Sequence, residues 1–142
     1  MSVRRIEIVD FPELYSLLSQ LMTKKSLDRV RMESVFRDII GDPTVRIGVF
    51  DDGQEILGMV SISVHSTLHH FGRVAVIDEI VVTEKARGQG VGKTLVDWAR
   101  LQAKQMDAHT IELHSDEFHT DPHAFYQSLG FVPEGSVFSI RS

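Results

Sequence analysis

Residues 81–94 read Val81-Val82-Thr83-Glu84-Lys85-Ala86-Arg87-Gly88-Gln89-Gly90-Val91-Gly92-Lys93-Thr94. A β-branched run ends, three glycines alternate, and a segment rich in Leu, Val and Ala follows. The pattern predicts a strand, a tight loop and a helix. Glycine lets a backbone turn sharply and come close to a ligand. The first N–H groups of a helix have no acceptor inside it, and the helix dipole is positive at that end. A phosphate or pyrophosphate suits such a place. Arg87 and Lys93 add positive charge there, in a chain whose net charge is −5. A flexible turn alone requires neither three glycines nor two cations.

Two familiar phosphate loops do not fit these residues. A P-loop, G-x-x-x-x-G-K-[ST], can end at Gly92-Lys93-Thr94, but its first glycine would then stand at position 87, which is arginine. The apolar strand ending in Asp78-Glu79 also comes before the loop, where that family needs it after. A dinucleotide loop needs G-x-G-x-x-G near the first strand, and Gly88-x-Gly90-x-Gly92 has a different spacing.

The rest of the composition narrows the class. A length of 142 residues suits one domain, 1–142, large enough to bury a core without cross-links. The chain has no cysteine, which excludes disulfides, thiolate metal sites and cysteine nucleophiles. With 15 Lys and Arg against 20 Asp and Glu, it lacks the basic footprint of a nucleic-acid binder. No apolar run reaches the roughly 18 residues of a membrane span. The N-terminal arginines have no hydrophobic stretch behind them, so a signal peptide is not expected. The expectation is a soluble, cytoplasmic protein.

Periodicity outlines the elements. Val3–Val9 alternates as a strand. Leu14, Leu17, Leu18 and Leu21 put a helix at Phe11 to about Lys24, and Ser26-Leu27-Asp28 opens a second that Gly41 and Pro43 close. Thr44–Phe50 and Glu55–Val64 read as strands around an Asp51-Asp52-Gly53 turn. A polar loop, Thr67–Arg73, leads to the strand Val74–Thr83. A helix runs from Gly90 to about Met106, and Thr110–His114 is a short strand. A helix runs from Asp121-Pro122 to Leu129, closed by Gly130. Phe131-Val132 and Ser136–Ile140 read as final strands. Hairpins first and a βαβ crossover later make the class α+β with a mixed sheet.

The stretch Arg87-Gly88-Gln89-Gly90-Val91-Gly92, with the acidic apolar strand Ile77–Val82 before it and Ala124-Phe125-Tyr126-Gln127-Ser128-Leu129-Gly130-Phe131 about 35 residues on, resembles the GNAT (Gcn5-related) N-acetyltransferases. The second motif has one residue fewer between Ala and Phe than the family pattern. The resemblance covers the whole chain in element order and the C-terminal half in motif. Leu68-His69-His70, Glu79–Val82 with Ala86-Arg87-Gly88, and Asp121-x-His123-x-Phe125-Tyr126 further resemble the aminoalkylphosphonate N-acetyltransferases.

This resemblance implies a GNAT fold whose central strands splay, with helices on both sides, and an acetyl-CoA-dependent transfer to a primary amine by direct attack. Backbone groups of Ile80, Val81 and Val82 would pair with the pantetheine arm. Arg87, Gly88, Gln89, Gly90, Val91, Gly92 and Lys93 would hold the pyrophosphate. Tyr126 would protonate the departing thiolate, with core filling as the plainer role. Glu79 would help deprotonate the amine, with a solvated strand residue as its plainer role. Alternation puts Asp78 and Glu79 on opposite faces, so one of them is expected at the site.

The acceptor is expected to be a small molecule, with specificity set by the N-terminal helices and the Ser66–Arg73 loop. His69, His70 or Arg73 would suit a phosphonate or phosphate. A protein N-terminus or lysine is the alternative acceptor. A non-catalytic acyl-CoA sensor and a nucleotide hydrolase are the alternative classes. A homodimer joined through edge strands is also expected. His119 and His123 are four apart, but Pro122 lies between them, and no metal site is assigned. His65, His69, His70, His109 and His114 are read as surface or cleft residues, and Trp98 and the methionines as core.

Overall fold

The computed structural model describes residues 2–22, 26–113, 122–134 and 139–141. In chain order the elements are β1 (Ser2–Arg5), α1 (Phe11–Leu21), α2 (Arg29–Ile40), β2 (Val45–Asp51), β3 (Ile56–Thr67), β4 (Gly72–Val82), α3 (Val91–Gln105), β5 (Thr110–Leu113) and α4 (Pro122–Ser128). The sheet runs β1-β2-β3-β4-β5. The first three pairings are antiparallel and β4–β5 is parallel, as the α3 crossover requires.

The sheet is covered on both faces. On one face, α3 buries Val91, Leu95, Val96, Ala99 and Ala103 against Val60, Ile62 and Ile77. On the other, α1 and α2 pack Phe11, Leu14, Leu17 and Phe36 against Ile47, Val49 and Met59. This explains why β3 is buried from Ile56 to Ile62 without alternation: both of its faces meet helices. Trp98 sits over Gly48, where an added Cβ would come within 2.6 Å of the indole, so that strand position has room for glycine alone. At the start of α2, Asp28 Oδ1 accepts from the Arg31 N–H at 3.1 Å, the expected cap.

The first strand is shorter than its alternation suggests. It stops at Arg5, and Ile8–Asp10 form a 3₁₀ turn. Asp10 is the cause. Its carboxylate accepts from the Glu7 N–H at 2.7 Å and from both Arg4 terminal nitrogens at 2.8 and 2.9 Å, which curls the chain toward α1. The Arg4 guanidinium holds the Asp10 carboxyl below the usual carboxylate range, with the Glu7 N–H adding to it. The unfolded chain therefore takes up this proton first as pH falls. The stabilisation is complete above about pH 4 and is lost as pH drops through the lowered folded value. Asp10→Asn should destabilise by about 1–2 kcal/mol at pH 7, a figure kept small because Arg4 is partly open to solvent. Denaturant melts at pH 7 and pH 3 should show the difference from wild type shrinking in acid.

The chain's end differs as well. Phe131-Val132 is not a strand. The Phe131 N–H donates to the Tyr126 carbonyl at 3.1 Å, and Gly130, at φ +96°, donates to Gln127 at 3.0 Å. This is a Schellman cap, and it uses the backbone donor that a strand would need. Most of Ser136–Ile140 lies outside the described residues, and Ser139 and Ile140 are not in a strand. His114, His119 and Asp121 also lie outside them. Among the described residues, no helix is long and apolar enough to cross a membrane.

Candidate active site

The β4–β5 pairing runs from Val74–Thr110 to Ile77–Leu113. β4 continues five residues further, to Val82, and there turns through Glu84–Ala86 into the glycine loop. The part of β4 beyond Ile77 has no β5 partner among the described residues. It forms one wall of a cleft of about 370 Å³. The glycine loop forms the floor, and Phe125 and Tyr126 of α4 close the other side.

The three glycines divide the work. Gly88 and Gly90 have φ of +78° and +85°, the left-handed region that glycine enters without strain, and an added Cβ on either would meet nothing within 4 Å. They leave an open backbone cradle at the start of α3, with Gly90 as its N-cap. Gly92 has a different role. Its added Cβ would lie 3.0 Å from the Phe125 ring, so this glycine seats α4 against α3. An open cradle at a helix N-terminus, beside a mostly apolar channel, fits a pyrophosphate with an extended arm.

Nine of the ten residues expected to hold acetyl-CoA line this cleft: Ile80, Val81, Val82, Arg87, Gly88, Gly90, Val91, Gly92 and Lys93. Gln89 does not, because its side-chain amide donates to the Lys85 carbonyl at 3.1 Å and staples the loop. Lys93 is exposed and pairs with Asp97 at 2.9 Å, one turn on. Arg87 is exposed at the loop's rim.

Tyr126 lines the cleft and is 6% exposed. Its ring lies 5.4 Å from Phe125 and 6.2 Å from Phe131. The Schellman cap thus does more than end a helix. Phe131 bonds the Tyr126 carbonyl and packs edge-on against its ring, so the Gly130-Phe131 pair holds the phenol in place.

Glu79 is exposed and is not part of the cleft lining. The alternation expected of Asp78 and Glu79 fails at a β-bulge. β3 pairs Ile62 with Ile77 but Ser61 with Glu79, leaving Asp78 as the extra residue. Both acids are exposed. Beyond the bulge the faces are reset. Ile80 and Val82 pack with the α3 cluster that holds Tyr126, while Val81 packs with the α1–α2 cluster. Alternation from Val81 puts Glu79 on the α1–α2 face, across β4 from Tyr126.

The Ser66–Arg73 loop is not where its expected role needs it. β3 and β4 extend into both ends of it, leaving a turn at Leu68–Phe71. Arg73 lies six residues before Glu79, roughly 20 Å along the strand at about 3.3 Å per residue. His69, His70 and Arg73 therefore do not meet the cleft of their own chain. His70 is tied to Thr67 Oγ1 at 2.8 Å instead. Among the described residues no group of three His, Asp or Glu gathers as metal ligands. Sequence reading did not single out Ala86 and Phe125 as cleft walls, although the latter adjoins Tyr126. It also missed the bulge, which has no local signature.

This arrangement defines one mostly apolar cleft walled by the end of β4, the glycine loop and α4. The family model of the GNAT acetyltransferases matches residues 11–131, and the chain belongs to that family. It is an acetyltransferase. It is similar to the aminoalkylphosphonate N-acetyltransferase of Salmonella typhimurium, with 31% identity over 129 residues, covering 91% of this chain and 83% of that protein. Among solved structures it is similar to a transcriptional regulator from Bacillus halodurans C-125, at a TM-score of 0.90 and 26% identity, covering 99% of both chains. A protein from Agrobacterium tumefaciens str. C58 described as an acetyltransferase matches at a TM-score of 0.86 and 27% identity over the whole of both chains.

Proposed function

We propose that this protein moves the acetyl group of acetyl-CoA to the primary amine of a small molecule. The observation that carries the reading is one cleft shared by the glycine cradle, the Ile80–Val82 end of β4 and Tyr126. Backbone groups of Ile80, Val81 and Val82 pair with the pantetheine amides as an added strand would. N–H groups from Gly88 to Lys93 hold the pyrophosphate.

Glu79 accepts the proton that the ammonium must lose, by way of water. The amine nitrogen then bonds to the acetyl carbon, and the carbon–sulfur bond breaks. The Tyr126 hydroxyl gives its proton to the sulfur and regains one from solvent. The two roles separate by residue type, since a phenol keeps its proton at neutral pH and a carboxylate is ready to accept one.

An amine that carries a phosphonate is the first acceptor to try, because the Salmonella relative is named for that substrate. The test mixes protein, acetyl-CoA and a panel of aminoalkylphosphonates, polyamines, aminoglycosides, and peptide amines and lysines, and follows free thiol. Release with a small amine and none with peptides supports the reading. Binding without release on every amine would favour a sensor.

The protein is also proposed to act as a homodimer in the cytoplasm. β1 and β5 are the edges of the described sheet, and an uncovered edge is a template for pairing. Sedimentation at micromolar concentration should give twice the chain mass, and a clean monomer would refute this.

A further inference from the structure

At the bulge, β3 places a serine where its chain neighbours are apolar. Ser61 lies between Val60 and Ile62 and is 4% exposed. Its Oγ is fully buried, with no hydrogen-bond partner among the described residues. A buried hydroxyl without a partner costs free energy that alanine at the same place would not. Buried polar groups are nearly always bonded, so an exception of this kind asks what the group is kept for.

Its place in the sheet answers that question. Ser61 faces Ile47 on β2 and Glu79 on β4. Residues directly opposite on antiparallel strands have Cβ atoms about 4.5–5.5 Å apart on one face. A glutamate side chain covers that gap with ordinary rotamers. The bulge creates the pairing. With Ile62 opposite Ile77, an unbroken register would put Asp78 opposite Ser61, and the extra residue brings Glu79 there instead. The unpartnered hydroxyl and the carboxylate thus share one cross-strand pair, one residue before the stretch of β4 that lines the cleft.

We propose that Ser61 is a positioning residue for amine deprotonation. When the acceptor amine binds, its Oγ–H donates to the Glu79 carboxylate, directly or through one water, and holds it toward that amine. The serine keeps its proton throughout, so no bond to it forms or breaks. This inference rests on the reading that Glu79 receives the proton of the amine.

The experiment compares Ser61→Ala, Ser61→Thr, Ser61→Cys, Glu79→Gln and the Ser61→Ala/Glu79→Gln double variant, all as the full chain. Ser61→Ala should lower kcat about tenfold with the KM for acetyl-CoA unchanged and thermal stability equal to or above wild type. Ser61→Thr, which keeps a hydroxyl, should restore most of kcat, and Ser61→Cys, a weaker donor, should fall between. In the Glu79→Gln background the alanine should have no further effect. A stabilised Ser61→Ala enzyme with wild-type kcat, beside an impaired Glu79→Gln, would overturn the role of Ser61 and leave that of Glu79 standing. A Glu79→Gln enzyme with wild-type turnover would overturn the reading of Glu79, and the role of Ser61 through it. If Ser61→Thr does not fold, the order of the Ala and Cys variants decides the matter alone.

Discussion

Replacing Gly90 with valine should abolish acetyl-CoA binding, by about 10²-fold or more in affinity, in a protein that still folds. Both halves of this expectation come from the backbone. Gly90 has φ +85°, a conformation that β-branched residues resist, so the variant carries about 1–2 kcal/mol of strain. The position is exposed, and an added Cβ meets nothing within 4 Å, so no core contact is lost. The same open space is where a pyrophosphate must approach the N–H groups at the start of α3, and the valine side chain would occupy it. Calorimetry on the folded variant, with circular dichroism to show that it is folded, separates the two effects. Unchanged affinity would refute the cradle as the cofactor site. The matching change at Gly92 would not be equivalent, because there the added carbon presses on Phe125 and acts through the seating of α4.

Tyr126→Phe should reduce turnover by about 10²-fold or more, in the range expected for loss of a positioned acid. The substitution keeps the ring, and with it the packing on Phe125 and Phe131. Stability should change by no more than about 1 kcal/mol. Affinity for acetyl-CoA should also hold, since the glycine cradle and the β4 backbone are untouched. The measurement is kcat on the best amine from the panel, with the KM for acetyl-CoA as the control. Full turnover in the phenylalanine variant would move the proton donor to water or another group. A large rise in KM with kcat unchanged would make Tyr126 a binding residue.

The sequence by itself determined what depends on local chemistry. The alternating glycines before an α3 rich in Leu, Val and Ala announce a tight loop and a helix start, because no other residue takes those dihedrals without strain. Apolar spacing placed α1, α2 and α3 to within a few residues. Lone strands were legible where one face is buried, and the Ala124–Phe131 motif marked the tyrosine that the structure brings to the cleft.

Tertiary structure decided everything that depends on which partner a group finds. β1 ends early because Arg4 and Asp10 meet, a contact between side chains six residues apart that alternation does not record. Phe131 leaves the strand pattern because its N–H is used by the helix before it. The bulge at Asp78 exists only as a mismatch of register between β3 and β4, so neither strand's sequence carries it alone. That mismatch sets Glu79 rather than Asp78 opposite Ser61 and resets which residues beyond it face Tyr126. Periodicity reports the average environment of an element, whereas a site is built where one strand departs from that average.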